Sequence, residues 1–339
     1  MTVSIYLSGA TGFIGGSILN ALLESKEDYS ITVLVRSEEK AKAFNKMGIK
    51  TVIGDLDSSD LISEQAFKSD LVITAANCDH LGEAKAVVAG LQRKLKETGK
   101  RGILLQTSGT SILNDDSNGK FEGKEIYSDN DTEKVNAIPA TNPHRHVDTF
   151  LIDNSADYDL AIIAPCCIYG EGTGPQGICK RQSQQIPTII RQALKHGAVK
   201  QIGQGKHIWS SVDVKDLSLL YALVTKHLLA HDLKTLGREG YFFAETGEFQ
   251  WGEMCRRIAK YLYSLGAIKK DVPDEVNNDE EFKAAYGTEE AKVGLSQNSR
   301  SRADKSRALG WKPTHKPEDV FTDAERECRL IAKELGYIQ

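Results

Sequence analysis

The ten residues LSGATGFIGG at positions 7–16 carry the strongest structural signal in this 339-residue chain. They overlap the end of a β-branched run, VSIYLS at 3–8, and lead into a segment of helical apolar periodicity. Gly9, Gly12 and Gly15 therefore lie where a strand turns into a helix. Small residues at such a turn let a phosphate approach the backbone, and the free N–H groups of the helix start attract its charge. The pattern predicts the dinucleotide-binding turn of a Rossmann fold.

Further apolar runs follow this first strand and alternate with helical patterns. These runs are apolar throughout, which is typical of parallel strands covered on both faces. They occupy 31–35, 51–53, 71–75, 103–106 and 160–164. The sequence therefore predicts an α/β protein with a doubly wound parallel sheet.

The alternation ends near residue 170, at a stretch rich in Gly, Pro and Gln. Helical patterns then dominate, with a short strand near 241–243 and a helix over 211–232 that returns to the sheet. We expect a dinucleotide-binding domain and a smaller, mostly helical substrate-binding lobe. The predicted domain comprises 1–170 with 211–243, and the predicted lobe comprises 171–210 with 244–339.

Composition excludes several classes of function. The formal net charge of −4 gives no electrostatic reason to expect binding to nucleic acid or to a membrane surface. No apolar run approaches the roughly 20 residues that span a bilayer, so we expect a cytoplasmic protein. The six cysteines form no CxxC pair, which predicts neither a disulfide framework nor a metal site.

The end of the second strand distinguishes the two nicotinamide dinucleotides. An acidic residue there binds the ribose hydroxyls of NAD, whereas an arginine accepts the 2′-phosphate of NADP. This chain has Arg36 followed by Ser37, which favours NADP. Glu38 or Glu39 is close enough in sequence to reach the ribose instead, so NAD stays an alternative, and Arg36 as an ordinary loop residue is a further one.

Several landmarks in the correct order make the chain resemble the short-chain dehydrogenase/reductase superfamily. The resemblance is to its extended branch, whose members include NAD-dependent epimerases and dehydratases. It rests on the GxxGxxG spacing and on GDLDSSD at 54–60, ITAA at 73–76, APCCIYGEG at 164–172, GQGKHIWSSVDVKDL at 203–217 and SRADKSRALGWKP at 301–313.

The resemblance also implies a set of cofactor contacts. With Arg36, they are Gly9, Thr11, Gly12, Phe13, Ile14, Gly15, Asp55, Leu56, Ala75, Ala76, Thr107, His146 and Pro165.

The usual catalytic tyrosine and lysine of this superfamily are absent. Ser108, at the end of the fifth strand, matches the hydroxyl residue that orients a substrate oxygen. Asn142 stands at the tyrosine position and His146 at the lysine position. Asn142 with Pro143 also forms a typical N-cap and first-turn pair, which explains the local sequence as a helix start without chemistry.

Other side chains are candidates for the missing proton donor. His144, expected two residues into a helix beneath the nicotinamide, has an ordinary pKa near 6.5 and is a candidate donor at neutral pH. A structural role for the histidines is the alternative. Tyr169 is a second candidate, although packing explains an aromatic residue at a strand end equally well.

Three residues are predicted to contact a small-molecule substrate. Arg145 is a candidate for an anionic group, and Tyr127 lies in a long loop expected to cover the substrate. Trp209 occupies a position where sugar-nucleotide enzymes of the resembled branch carry an arginine for the substrate diphosphate. An indole in that place favours a less charged, aromatic or terpenoid substrate, unless Trp209 only fills the core between the lobes.

These observations lead to two hypotheses of different classes. The first is an NADP(H)-dependent oxidoreductase for a small carbonyl or hydroxyl compound, with Ser108 and His144 at the reacting oxygen. The second is a non-catalytic NADP(H)-binding redox sensor or scaffold. A sugar-nucleotide epimerase or dehydratase is a third alternative. The resemblance also implies a homodimer formed through helices at 82–98 and 143–155.

Overall fold

The computed structural model describes residues 2–287 and 290–339. Its strands are β1 (Val3–Ser8), β2 (Tyr29–Val35), β3 (Lys50–Ile53), β4 (Leu71–Thr74), β5 (Gly102–Thr107), β6 (Tyr127–Ser128), β7 (Tyr158–Pro165), β8 (Cys167–Tyr169), β9 (Lys200–Ile202), β10 (Ile208–Asp213), β11 (Tyr241–Ala244), β12 (Gly247–Gln250), β13 (Asp274–Val276) and β14 (Ser301–Arg302). Its α-helices are α1 (Phe13–Glu24), α2 (Glu38–Asn45), α3 (Ser59–Lys68), α4 (Leu81–Thr98), α5 (Thr132–Asn136), α6 (Arg145–Asp153), α7 (Gln185–His196), α8 (Val214–Leu229), α9 (Trp251–Ser264), α10 (Asp279–Tyr286), α11 (Glu290–Leu295), α12 (Asp304–Ala308) and α13 (Asp319–Glu334).

Seven parallel strands form the central sheet, in the order β11-β7-β5-β4-β1-β2-β3. The strand β1 lies inside the sheet, with Ile5 opposite Ile31 on one side and Leu71 on the other. The chain moves outward from β1 through β2 and β3, then returns to the other side at β4. Ligands of open α/β sheets bind at the carboxyl ends of the strands, at this reversal of strand order. The predicted doubly wound Rossmann fold is confirmed.

A second, three-stranded sheet corrects the predicted helix over 211–232. Residues 208–213 form β10, which pairs with β8 in parallel and with β12 in antiparallel orientation. The helix α8 begins only at Val214, because the Asp213 side chain accepts a hydrogen bond from Lys215 N at 2.7 Å and caps the helix. The predicted strand near 241–243 is β11, at one edge of the main sheet.

The buried apolar side chains form two clusters. The larger one surrounds the seven-stranded sheet and includes α8 and β11. The smaller one joins α7, α9 and α13 around β8 and β10. Ala303 and Trp311 pack in the larger cluster, although their segment belongs to the predicted lobe. The exact division of the chain into domain and lobe therefore stays a prediction.

Within the described part of the chain, no helix has the length and apolarity needed to cross a membrane.

Candidate functional site

A cleft of about 1670 Å³ lies at the carboxyl ends of the central strands. One wall follows the glycine-rich turn after β1 and the strand ends of β4, β5 and β7. The opposite wall comes from the smaller cluster, namely 181–191 and 291–295. The predicted site residues on its lining are Gly12, Phe13, Ile14, Ala75, Ala76, Thr107, Ser108, His144, His146, Pro165 and Trp209.

The glycine-rich turn has the geometry that a phosphate requires. A Cβ at Gly9 would lie 2.3 Å from Ala75 O, and one at Gly15 would lie 2.2 Å from Gly9 O, so neither position accepts a side chain. Gly12 is different, because a Cβ there meets only Gly9 O, at 3.1 Å, and Gly12 borders the cleft. The helix α1 begins after Gly12 without a side-chain cap, so its first N–H groups face this space. The turn therefore fits a cofactor diphosphate.

The residues predicted at the adenosine end lie on the surface. Arg36 is exposed after β2 and forms no ion pair within residues 2–287 and 290–339. Ser37 caps α2 through its hydroxyl. Asp55 accepts hydrogen bonds from Ser58 Oγ at 2.8 Å and Asp57 N at 3.1 Å. The Ser58 bond is the main reason that the pKa of Asp55 is lowered. Its carboxylate thus holds the turn before α3.

The remaining predicted cofactor residues lie around these segments. The backbone oxygen of Thr11 accepts a hydrogen bond from Lys180 N, and Leu56 packs against the larger cluster. The Thr107 hydroxyl forms a buried contact of 2.7 Å with Tyr221 OH. Thr107 therefore has its hydroxyl engaged inside the protein, while other atoms of the residue line the cleft.

Ser108 is held by a buried network behind the cleft. Its Oγ donates to Asp148 Oδ2 at 2.6 Å, and Tyr241 OH donates to the same oxygen at 2.8 Å. Burial raises the pKa of Asp148, although the hydrogen bonds from Ser108 and Tyr241 oppose this rise. A neutral Asp148 would donate to Ser108 Oγ and leave the serine proton free to point into the cleft.

Arg145 belongs to this network, in contrast to its predicted role in binding substrate. The side chain is 2% exposed, and NH1 donates to Tyr241 OH at 2.6 Å. The other terminal nitrogen bonds to Asn136 O at 3.3 Å. Its charge is therefore used inside the protein, where it orients Tyr241 towards Asp148, and it is not available to an anionic substrate.

The His144 side chain lines the same cleft as Ser108 and is paired with Asp79. Its Nδ1 lies 2.9 Å from Asp79 Oδ1 and 3.2 Å from Cys78 Sγ. The opposite ring edge, with Nε2 and Cδ2, faces Gly109, where an added Cβ would lie 3.2 Å from both atoms. With Nδ1 donating to Asp79, the second ring nitrogen is left for the cleft.

This environment keeps the imidazole charged. Burial lowers the pKa of His144, but the hydrogen bonds to Asp79 and Cys78 outweigh it and raise the pKa to about 10. The same hydrogen bond lowers the pKa of Asp79. Imidazolium and carboxylate thus form an ion pair at neutral pH, and His144 carries a proton.

The expectation of a site without metal stays a prediction. Cys78, Asp79 and His144 offer three possible ligand atoms that lie within 4.8 Å of one another. A hydrogen bond from His144 Nδ1 explains the short distance to the Asp79 carboxylate without a shared ion.

The start of α6 differs from the sequence prediction. The helix begins at Arg145 with His144 as its N-cap, and not at Asn142 and Pro143. His144 has a left-handed backbone, with φ of +66°, which interrupts the helix. Asn142 instead donates through Nδ2 to Ile112 O at 2.8 Å. His146, one residue into α6, is exposed and lies 3.2 Å from Asp79 O through Nε2.

The tyrosine candidates lie away from the cleft lining. Tyr169 is 1% exposed, packs in the smaller cluster and meets the His315 ring edge-on. Tyr127 lies in β6 with Lys134 Nζ 4.7 Å above its ring. These positions are at odds with the catalytic role predicted for Tyr169 and the substrate contact predicted for Tyr127.

Trp209 does reach the cleft. It is 2% exposed, its indole N–H donates to the backbone oxygen of Gln297, and it meets Trp251 edge-on. The indole therefore presents one apolar edge to the cleft while its polar atom is satisfied inside the protein.

Sequence reasoning missed Asp79, Cys78, Asp148 and Tyr241. The sequence did offer a signal for Asp79, which lies in the loop after β4, in ANCDH at 76–80, because the carboxyl ends of parallel strands meet at one edge of the sheet. The pairing of Asp148 with Ser108 and Tyr241 has no such signal.

One known protein family matches the part of the chain that begins at the glycine-rich turn. The sequence model of a family described as NAD(P)H-binding matches residues 9–202, which is more than half of the chain.

Individual relatives and solved structures agree with this fold. Oxidase ucsJ of Acremonium sp is 28% identical over 356 residues, covering 99% of each chain. The structure of dTDP-glucose 4,6-dehydratase from Bacillus anthracis with NAD has a TM-score of 0.67 at 14% identity, covering 99% of each chain. The yeast methylglyoxal/isovaleraldehyde reductase Gre2 with NADPH has a TM-score of 0.62 at 17% identity, covering 99% of this chain and 100% of the reductase. Together with the family match over residues 9–202, these shared folds confirm the predicted superfamily.

Proposed function

Because this chain belongs to the NAD(P)H-binding family, we propose that it is an oxidoreductase that uses NADP(H) to reduce a small carbonyl compound. One observation carries the proposal. A charged His144, oriented by Asp79, lines the same cleft as Ser108, in a chain that carries Asn142 at the position of the superfamily's tyrosine. The resemblance to an oxidase and the fold shared with a reductase support the same class of reaction.

The cofactor would be held by the glycine-rich turn and by the strand ends. Gly12, Phe13 and Ile14 would receive the diphosphate, and Ala75 and Pro165 border the same cleft further along. The bound nicotinamide would supply a hydride to the carbonyl carbon. Arg36, exposed and without an ion pair in the described chain, is the cation that would meet a 2′-phosphate.

His144 would supply the proton that the reduced oxygen needs. Asp79 fixes the ring through Nδ1, so that Nε2–H is left to donate to the substrate oxygen. Ser108 would hold the same oxygen in the state in which Asp148 is protonated, since Asp148 then donates to Ser108 Oγ and the serine proton is free; burial, which raises the pKa of Asp148, favours this state. With the pKa of His144 at about 10, the donor is protonated throughout the neutral range. The charge state therefore favours reduction over oxidation at neutral pH.

This charge state changes the expected pH dependence. An ordinary histidine would lose its proton near pH 6.5. Here the reduction rate should stay level through neutral pH and fall as the pH rises through about 10. Oxidation of the alcohol needs the neutral imidazole, so its rate should rise over the same range.

The cleft supports an uncharged substrate. Trp209 and Ile168 present apolar surface, and Arg145 is turned into the protein. Arg191 also borders the cleft, but it is paired with Glu334 at 3.1 Å. A less charged aldehyde or ketone fits the part of the lining around Trp209 and Ile168 better than a sugar nucleotide, whose diphosphate would need cations beside it there.

A non-catalytic NADP(H)-binding protein is the second candidate, and one observation favours it. While Asp148 is ionised, the only proton of the Ser108 hydroxyl is donated inward, and the cleft loses its serine donor. Such a protein would bind cofactor and have no turnover.

A panel of aldehydes and ketones separates these two candidates. We expect the parent protein to consume NADPH with at least one aromatic or aliphatic carbonyl compound, and His144→Phe to lower the rate by roughly a hundredfold with cofactor affinity unchanged. His227→Phe is the matched control, because His227 pairs with Asp232 outside the cleft lining. NADPH binding without consumption across the panel would favour the second candidate.

A further inference from the structure

The segment 171–181, here called the strap, crosses over the glycine-rich turn. Lys180 N donates to Thr11 O at 2.9 Å, and Cys179 Sγ donates to Ala10 O at 3.1 Å. Both acceptors are backbone atoms of the turn itself. The strap is therefore attached directly to the predicted phosphate-binding segment, although about 170 residues separate the two in sequence.

Close packing fixes the same attachment. An added Cβ at Gly16 would lie 2.8 Å from the Cβ of Cys179, so the start of α1 and the strap touch with no room for a side chain. At the other end of the strap, Thr173 N donates to Ser17 Oγ at 3.1 Å. The strap is thus held at both ends against the first two turns of α1.

A lysine from the helix after β2 holds the middle of the strap. Lys40 Nζ donates to Gly177 O at 3.1 Å and to Ile178 O at 2.9 Å. The Lys40 ammonium is therefore engaged by backbone oxygens of the strap. Arg36, just before α2, forms no ion pair within the described residues and is free to meet a phosphate.

The strap also brings a cation without an ion pair to the cleft lining beside the glycine-rich turn. Lys180 borders the cleft together with Gly12 and Phe13, is exposed, and forms no ion pair with any described residue. Its neighbour Arg181 also borders the cleft but is paired with Glu171 at 2.8 Å. A diphosphate carries more negative charge than the partial positive charge of a helix start can balance, so a nearby lysine adds binding energy.

We propose that Lys180 binds the diphosphate of the dinucleotide cofactor, and that the strap exists to hold this lysine at the start of α1. The inference rests on the proposed binding of NADP(H), and it adds a contact that the glycine-rich pattern does not contain. It also separates two kinds of recognition: Lys180 serves any dinucleotide, whereas Arg36 serves the 2′-phosphate alone.

Calorimetry with four ligands tests this separation on the full chain. NADPH, NADH and ADP-ribose all contain the diphosphate, whereas adenosine 2′-monophosphate contains only the 2′-phosphate. We expect Lys180→Ala to weaken binding of the first three by about tenfold or more and to leave the fourth unchanged. Lys180→Arg should retain most of the affinity, because the charge remains.

The exposed Lys226 on α8 lies outside the cleft lining and provides the matched control, Lys226→Ala. Equal affinities of the parent and Lys180→Ala for ADP-ribose would overturn the inference while leaving cofactor binding intact. So would an equal loss for adenosine 2′-monophosphate, since that would indicate general damage to the cleft. A parent protein that binds none of the dinucleotides would overturn this inference together with the proposed function, whereas a parent that binds them without turnover would affect only the latter.

Discussion

Replacing Asp79 by Asn should lower the pKa of His144, so that the imidazolium loses its proton at a lower pH than in the parent protein. Asp79 contacts His144 Nδ1 at 2.9 Å, and this contact is the leading cause that raises the pKa of the imidazole to about 10. An asparagine keeps the size of the side chain and removes its charge. The substitution therefore changes the electrostatics of the pair with little change in packing.

The magnitude follows from the pKa and the exposure of the partner. A rise in pKa from 6.5 to about 10 corresponds to roughly 5 kcal/mol of preference for the imidazolium in the folded protein. The Asp79 side chain is 46% exposed, so water screens its share of this energy. We expect Asp79→Asn to remove about 2 kcal/mol, which brings the pKa of His144 to between roughly 8 and 9.

The same shift affects stability with a definite sign. Because the folded pKa of His144 lies above its ordinary value, the stabilisation is fully present below pH 6.5 and is lost as the pH rises through about 10. The difference in unfolding free energy between the parent and Asp79→Asn should therefore be largest in mildly acidic to neutral solution. Above about pH 10 the two proteins should be equally stable.

NMR titration of the histidine rings measures the pKa without knowledge of the substrate. The chain has eight histidines, and His144→Phe identifies the resonance of His144 by its absence. Asp57→Asn is the matched control, because the Asp57 carboxylate contacts His80 at 3.2 Å and not His144. Two results would refute the role assigned to the pair. One is a pKa near 6.5 for His144 in the parent protein, and the other is a pKa of His144 that Asp79→Asn does not change.

Three further substitutions test Ser108, the cofactor preference and the predicted dimer. Ser108→Ala should lower turnover by roughly a hundredfold and the unfolding free energy by about 1–3 kcal/mol, since Asp148 loses one of its two buried hydrogen-bond partners. Turnover at the parental rate would exclude Ser108 from the chemistry. Arg36→Glu should weaken binding of NADPH and spare NADH, and calorimetry that finds equal affinities in the parent would count against the cofactor preference. Light scattering at micromolar concentration should find a dimer, which Ala89→Arg on the exposed side of α4 should dissociate. A monomeric parent protein would rule out the predicted assembly.

The architecture was predictable because its signals are local. The turn between β1 and α1 needs glycine at Gly9 and Gly15 for steric reasons that involve only neighbouring backbone atoms and the end of β4. Buried parallel strands such as β4 and β5 require apolar runs that are visible in one sequence. The structure places the cleft at the carboxyl ends of these strands.

The start of α6 was not predictable from local preference. Asn142 and Pro143 form a good helix-start pair in isolation. In the structure, Asn142 is drawn to Ile112 O, and His144 takes a left-handed conformation with its ring against Asp79. These partners lie 30 and 65 residues away in sequence, so tertiary contacts overrode the local signal.

The surroundings of Arg145 and Tyr169 were not predictable for a related reason. A single sequence gives the residue type and the strand or helix, but not whether a side chain points into the cleft or away from it. Arg145 was expected to face substrate and instead supports Tyr241 from inside. Tyr169 follows β7 closely but belongs to β8, whose neighbour in the second sheet is β10.

Proton donation by His144 is best examined through the pH dependence of NADPH consumption, with a carbonyl substrate found in the panel. For the parent, the rate should be level through neutral pH and fall through about pH 10, whereas Asp79→Asn should shift this fall towards neutral pH and His144→Phe should abolish it at a roughly hundredfold lower rate. A His144→Phe protein with the parental rate and the parental pH profile would show that the proton comes from elsewhere.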